Sequence, residues 1–499
     1  MKRNFAASNL RAFVNWNLTL ACFCFFACVA FSESGEPIAT TQARANATVP
    51  VLLVSDIHFE PFWDPAKVPQ LAAAPLSQWN DLLAAPPSPD RAQRFAAIEQ
   101  RCGVRGADTA FPLLRSSLAA MSKAAAGASF VIMSGDLISH AFPCKYSALF
   151  PHSTEDAYRS FVEKTVDYVI EELYGAFPGV PVYVAMGNND SDCGDYRLDA
   201  HGEFLSITGK EVTRNFPAAD REGALATFAA GGYYSVRLPA PIGNARLLVL
   251  NDIFMAKNYS SCGGQSDPRA AEEQMEWLGR QLAEARANKQ KIWVMGHIPP
   301  GIDLYATARK WVDVCGGEKP DLFLSSEKLA DVLAESGDVI ELAIFAHTHM
   351  DELRLLKSDG QGPAADRSVA VKMVPSISPI HGNRPAFIVA QVDPSSAALL
   401  DYKVFAASNL TGVGAAWQEE YDFARSFGQH AFSSSSVKSL IARFAADPHA
   451  TADASRNYIE DFSAGYLSPV LAAFWPQYVC TLSNDSAQAF RSCVCSTAQ

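Results

Sequence analysis

Residues 51–58 read VLLVSDIH, an apolar run ending in Asp-x-His. From Pro50 onward nearly every position is apolar, with β-branched residues and leucine predominating, so the run reads as a buried strand over residues 50–55. Asp56 and His58 fall where that strand gives way to a loop. On a strand, residues i and i+2 project from the same face, so both side chains could reach one metal ion. Asp-x-His alone is common by chance in long chains, and its meaning depends on what the rest of the sequence supplies.

Working outward, four more apolar runs end in polar groups with ligand chemistry. Residues 129–134 (SFVIMS) lead to Asp136, and 180–186 lead to Asn188. Residues 291–295 lead to His297, and 342–346 lead to His347 and His349. Helical patterns lie between them, at 111–126, 155–174, 269–287 and 325–335. The segment 59–105, rich in Pro, Ala and Trp, reads as an elaborated loop with short helices. Further strands are expected at 232–238, 245–250, 369–374, 386–392 and 398–405. This alternation predicts an α/β chain with a mixed two-sheet core and helices outside it. Beyond 410 the pattern turns helical, with candidates at 437–446 and 457–466.

Ten histidines occur in the chain, and four of them occupy these strand ends. Any one alone reads as a core histidine, but together with Asp56, Asp136 and Asn188 they form a donor set suited to a two-metal centre. A carboxylate can bridge two ions, imidazoles suit zinc, iron or manganese, and an amide oxygen fills a position without adding charge.

The segments SDIH, SGD, GNND, GHIPPG and AHTHMD, in this order, resemble the five signatures of the calcineurin-like metallophosphoesterases. GHIPPG and VPSISPIHGNRPAF further resemble the acid-sphingomyelinase-like and endopolyphosphatase branch. The resemblance spans about residues 50–405 and implies a four-layer sandwich, two mixed sheets flanked by helices. It also implies that Asp56, His58, Asp136 and His349 hold one metal and that Asn188, His297 and His347 hold the other, with Asp136 bridging. By the same resemblance the metals are two divalent ions, zinc with iron or manganese as alternatives, and a metal-bridging hydroxide attacks the phosphorus.

Two positions depart from the family pattern. Asn189 stands where the family carries a histidine implicated in the transition state, and an amide cannot deliver a proton. His140, four residues after Asp136, matches a second active-site histidine of the sphingomyelinase-like branch and is the other candidate catalytic residue beside Asn189. Ala346 replaces a glycine. An alkoxide leaving group needs a proton, whereas a departing phosphate needs less help. The loss at Asn189 therefore points toward nucleotide or polyphosphate substrates, with diesters still open. Glu60 and Asp64 are candidate partners for His58, Asp351 for the histidine pair, and Tyr196, His201 and His381 for the pocket wall.

Residues 1–32 read as a signal peptide: Lys2, Arg3 and Arg11 precede an apolar stretch, and Ala30-Phe-Ser32 offers a cleavage site. A linker at 33–48, a catalytic domain at 49–405 and a helical, disulfide-containing module at 406–499 complete the expected organisation. No later segment has the uninterrupted apolar length of a membrane span. Eight cysteines remain beyond the signal, an even number that suggests disulfides in an exported protein. Asn46, Asn258, Asn409 and Asn484 lie in glycosylation sequons. The formal charge is −12, and removal of the three cations of residues 1–32 takes it to −15. That balance argues against general nucleic-acid binding.

The expected function is an exported di-metal phosphohydrolase acting on a small phosphorylated substrate: a nucleotide, polyphosphate or phosphodiester. A sphingomyelin phosphodiesterase is the alternative. The span between the expected cleavage site and Asp56 is too short for a saposin-like lipid-handling module, so a lipid headgroup is the less favoured substrate. Phe62, Trp63 and Trp79 read as core more than as a membrane-facing rim. A catalytically weak metal-binding scaffold is the alternative of another class.

Overall fold

Twelve strands, numbered in chain order, form two six-stranded sheets in a computed structural model that describes residues 48–358, 366–465 and 469–497. The expected signal peptide, and all of the expected linker but Thr48, lie outside the described residues. The first sheet holds β1 (Val49–Val54), β2 (Val131–Met133), β3 (Val182–Val184), β10 (Ala386–Val392), β11 (Leu399–Ala407) and β12 (Trp417–Asp422), in the order β12-β11-β10-β1-β2-β3. The second holds β4 (Tyr234–Arg237), β5 (Ala245–Val249), β6 (Lys291–Met295), β7 (Ile340–Phe345), β8 (Glu352–Lys357) and β9 (Ser368–Met373), in the order β4-β5-β6-β7-β9-β8.

Both sheets are mixed. In the first, β1, β2 and β3 run parallel, with Leu52 opposite Val131 and Ile132 opposite Tyr183, while β10 joins β1 antiparallel. In the second, β5, β6, β7 and β9 run parallel, and β4 and β8 close the edges antiparallel. Parallel strands joined through helices place their C-terminal ends at one rim, where loops can converge.

The apolar runs are continuous because both faces of these strands are covered. In β6, Trp293 and Met295 pack into the same core as β1, β2 and β3, between the sheets. Ile292 and Val294 point the other way, into a second core with Trp277, Leu278, Leu329 and Leu333 of the outer helices Pro268–Ala287 and Lys328–Glu335. Alternation is present in the packing but not in the sequence, since neither direction meets water. Phe62 and Trp79 are fully buried, which makes them core residues, and Trp63 is half-buried.

Several elements differ from the sequence reading. Helices Glu203–Val212 and Ala218–Gly231 fill a stretch for which no element was expected. Strand β8 was missed because its sequence, ELRLLK, carries charges that are nonetheless buried: Arg354 lies 3.5 Å from Glu352, which also accepts from the Tyr478 hydroxyl at 2.9 Å. The chain after 406 is helical in the main, as expected, but β12 adds an edge strand to the first sheet before those helices begin. The helices then reach the second sheet, where Tyr458 and Tyr478 bond to Leu353 and Glu352 of β8.

All eight described cysteines are paired: Cys102–Cys144, Cys193–Cys262, Cys315–Cys495 and Cys480–Cys493. Among the described residues no helix is long and apolar enough to cross a membrane. The Cys315–Cys495 bridge spans 180 residues and ties the last helix to the segment that follows β6. Closing a loop of that length removes much freedom from the unfolded chain. Replacing Cys315 and Cys495 together by serine should lower stability by about 2–4 kcal/mol, measured by denaturant unfolding of the oxidised proteins.

Candidate metal centre

The seven strand-end residues named from the sequence come together across the rim where the two sheets meet. β1, β2 and β3 of the first sheet deliver Asp56, His58, Asp136 and Asn188. β6 and β7 of the second deliver His297, His347 and His349. Five of them fall into two groups that share one carboxylate: Asp56, His58 and Asp136 on one side, and Asp136, His297 and His347 on the other. Asp136 Oδ2 lies 3.3 Å from His58 Nε2 and 3.2 Å from His297 Nε2. His349 Nε2 adjoins the first group, 3.1 Å from His58 Nε2 and 3.5 Å from Asp56 Oδ1.

Asp56 and His58 do not share a strand face, since β1 ends at Val54 and both residues lie beyond it with positive φ, 46° and 44°. Asp136, His347 and His349 are also left-handed, at 59°, 70° and 65°. Non-glycine residues rarely adopt this region, and it is held only where surrounding structure over-determines it. Here the Asp56 N–H donates to Gly135 O at 3.0 Å and the His58 N–H to Asp136 O at 2.9 Å, locking the first loop onto the second.

Further residues that the sequence reading did not single out lock the remaining loops. The Asp190 carboxylate accepts from the N–H groups of Asp136, Leu137 and Gly187 at 2.9, 2.7 and 2.8 Å. The Asp252 carboxylate accepts from the N–H groups of His297 and Ile298 at 2.8 and 3.0 Å. The Asn188 amide donates to Asp195 at 2.7 Å, which turns its carbonyl oxygen toward His297 Nε2, 3.1 Å away. Asp252 follows the apolar β5, so the strand-end signal that revealed the others was present for it too. Asp108, whose carboxylate holds the His140 ring, lies in a loop with no periodic pattern, and nothing in the sequence marked it.

The donor chemistry fits metal ions. His58 Nδ1 donates to Ile138 O at 2.9 Å and His297 Nδ1 to Ser134 O at 2.7 Å. Each ring therefore turns Nε2 toward the shared carboxylate, the arrangement that orients metal-ligating imidazoles. Neither carboxylate oxygen of Asp56 has a hydrogen-bond partner among the described residues, although the residue is fully buried. A buried carboxylate without donors is costly unless a cation faces it. Burial works against protonation of His58 and His297, but Asp136 and the neighbouring carboxylates outweigh it and raise them to about 9 and about 10. Burial, with the positive His297 beside it, lowers His347 to about 3. The cluster attracts cations, and a metal entering it displaces the protons of His58 and His297.

The remaining sequence candidates sort themselves. Asn189 is buried against the shared carboxylate, with its backbone N–H 2.8 Å from Asp136 Oδ1 and its side-chain amide 3.0 Å from Oδ2. His140 stacks on His58 with ring centres 4.0 Å apart, and Asp108 holds its Nδ1 at 3.0 Å and its N–H at 2.9 Å. Tyr196 reaches His347 Nε2 at 3.2 Å, and His381 packs edge-on to His349 at 4.4 Å. His201 is exposed and faces Glu273 instead. Glu60 and Asp64 do not touch His58: Glu60 pairs with Lys145, and Asp64 accepts from the Ser88 N–H. Asp351 pairs with Lys372 and Tyr421 and does not orient the histidines. Behind Asp108 and Glu60 lies a groove of about 800 Å³ walled by Trp63, Leu83, Phe111, Leu410 and Val413.

The sequence profile of the calcineurin-like phosphoesterases matches residues 49–351. The human acid sphingomyelinase-like phosphodiesterase 3b is 24% identical over 462 residues, covering 88% of this chain and 89% of that one. The mouse cyclic GMP-AMP phosphodiesterase SMPDL3A is 24% identical over 403 residues, covering 78% and 82%. Sphingomyelinase phosphodiesterase C of Dictyostelium discoideum is 26% identical over 330 residues, covering 63% of this chain and 66% of its own length.

A Cβ at Gly187 would stand 2.2 Å from both the backbone nitrogen and Oδ1 of Asp136. Gly187→Ala should therefore displace the shared carboxylate and cut bound metal to below about half of the parent's content. Elemental analysis of the purified variant checks this, with circular dichroism to verify the fold.

Proposed function

The chain belongs to the calcineurin-like phosphoesterase family, and we propose that it is an exported phosphodiesterase acting on small nucleotide-type diesters with zinc as its metal. Membership makes it a metal-dependent phosphoester hydrolase. Two divalent ions, when bound, acidify a water molecule and draw charge from the phosphoryl oxygens. In this reading Asp56, His58, Asp136 and His349 hold one ion. Asn188, His297 and His347 hold the other, and Asp136 is shared.

The observation that carries the diester reading is the His140–Asp108 pair beside His58. Asp108 engages Nδ1 of His140, which leaves Nε2 to meet substrate. With both ring nitrogens protonated, Nε2 gives its proton to the departing oxygen and keeps the neutral ring's Nδ1–H on Asp108, the help an alkoxide needs and a phosphate does not. Asn189 takes a different role: it holds Asp136 in place through two hydrogen bonds. The proton donor missing at Asn189 is thus replaced from another loop, which shifts the balance from anhydrides toward diesters. Relatives named for cyclic GMP-AMP and for sphingomyelin hydrolysis point the same way.

The groove behind Asp108 favours a second reading, an amphiphilic diester of the sphingomyelin kind, whose apolar arm would lie along Trp63, Phe111 and Leu410. Four disulfides fit an oxidising compartment and so support export.

A panel of a dinucleoside monophosphate, bis-p-nitrophenyl phosphate, ATP, polyphosphate and sphingomyelin, with and without chelator, tests these readings. The dinucleotide should be cleaved fastest, and chelator should abolish turnover. His140→Ala should lower kcat on the dinucleotide about 100-fold, but on bis-p-nitrophenyl phosphate, whose leaving group needs no proton, less than about 10-fold. Equal losses on the two would refute the role given to His140, and preference for ATP or polyphosphate would refute the diester reading.

A further inference from the structure

Three charged side chains with no exposure lie together behind His140: Glu60, Lys145 and Asp108. Lys145 belongs to the helix Phe142–Leu149, and Glu60 lies two residues after His58. The Lys145 ammonium contacts the Glu60 carboxylate directly and stands 3.8 Å from Asp108 Oδ2. The Ser139 hydroxyl donates to Glu60 at 3.3 Å and the Ser378 hydroxyl to Asp108 at 2.7 Å. The neighbouring residue, Cys144, is bonded to Cys102, which pins the start of the helix that carries Lys145.

Buried charges persist only when they are paired, and the removal of one partner leaves the other uncompensated. Here two carboxylates share one ammonium; burial raises the Glu60 carboxyl to about 7 and the Lys145 ammonium in contact with it opposes that rise, so with Glu60 ionised the trio carries one negative charge in excess. Lys145 is committed to Glu60 by contact and reaches Asp108 only at the longer distance. The unmet charge therefore sits on Asp108 and faces His140, whose Nδ1 and backbone N–H both donate to it.

We propose that Lys145 is a positioning residue for the reaction: by neutralising Glu60 it leaves Asp108 free to hold the His140 ring in place. This rests on the reading of His140 as the leaving-group donor. Lys145 touches neither substrate nor metal and acts only through Asp108. The pairing works by balance. Without the ammonium, Glu60 and Asp108 repel each other across a few ångströms of buried space, and Asp108 is pushed from His140. Without the Glu60 charge, the ammonium turns to Asp108 and competes with His140 for it. Removing both charges together restores a lone carboxylate facing the ring. Burial opposes the Asp108 charge, but His140, His58 and Lys145 together hold it well below the usual carboxylate range.

Kinetics of the full-length, metal-loaded protein on the dinucleoside monophosphate test this with Lys145→Met, Glu60→Gln and the double variant. Lys145→Met should lower kcat about 30-fold and Glu60→Gln about 5-fold, with KM and metal content unchanged. The double variant should return to within about 3-fold of the parent. A cluster that served only to stabilise the fold would show its losses and its recovery in unfolding free energy and leave kcat of the folded single variants unchanged. If Lys145→Met does not fold, a double variant faster than Glu60→Gln still supports the proposal. A double variant no faster than Glu60→Gln overturns it, and so does an unchanged kcat in a folded Lys145→Met. His140→Ala, run alongside, separates the two failures. A large loss there without recovery in the double variant sinks only the role of Lys145, whereas no loss there sinks the reading of His140 itself.

Discussion

The Asp136 carboxylate is where the two sheets meet chemically. One oxygen lies within 3.3 Å of an imidazole from each sheet, His58 after β1 and His297 after β6. Two rings of high proton affinity brought that close would repel each other if both were charged, and only a shared anion or shared metal ions reconcile them. The architecture around Asp136 supplies what that arrangement requires. Parallel strands put the ligand loops at one rim, Asp190 and Asp252 tie those loops to each other through backbone N–H groups, and Gly187 leaves room for the carboxylate.

The legibility of the chain followed from what water does and does not touch. Strands buried on both faces are written as unbroken apolar runs, and a polar residue at the end of such a run stands out against them. That contrast revealed Asp56, His58, Asp136, Asn188, His297, His347 and His349. It failed where burial and polarity coincide. β8 was passed over because Glu352 and Arg354 read as surface residues, yet they are buried by pairing with each other and with Tyr478. β12 was passed over for the opposite reason: Glu419 and Glu420 mark an exposed edge strand, where charge blunts unwanted pairing. Asp108 could not be found because its importance comes from a partner 32 residues away.

Asp56 and His58 reach the candidate metal centre through a left-handed backbone at each residue and not through a shared strand face. The strain at these positions is held by hydrogen bonds from the adjoining loop, so the geometry of the ligands belongs to the pair of loops and to neither one alone. The same division of labour governs His140, whose ring is placed by Asp108 from a separate loop.

The tail extends that dependence along the chain. The backbone N–H of Asp351, two residues past the candidate ligand His349, donates to the carbonyl of Phe462 at 2.9 Å, and the Arg384 N–H donates to the carbonyl of Ser463. During synthesis, every candidate metal ligand is therefore made more than a hundred residues before the segment that bonds to the loop carrying His349. The donor set is finished early and one support of its last loop late. A nascent chain would thus possess every candidate ligand while still lacking the tail's hold on the loop that carries His349.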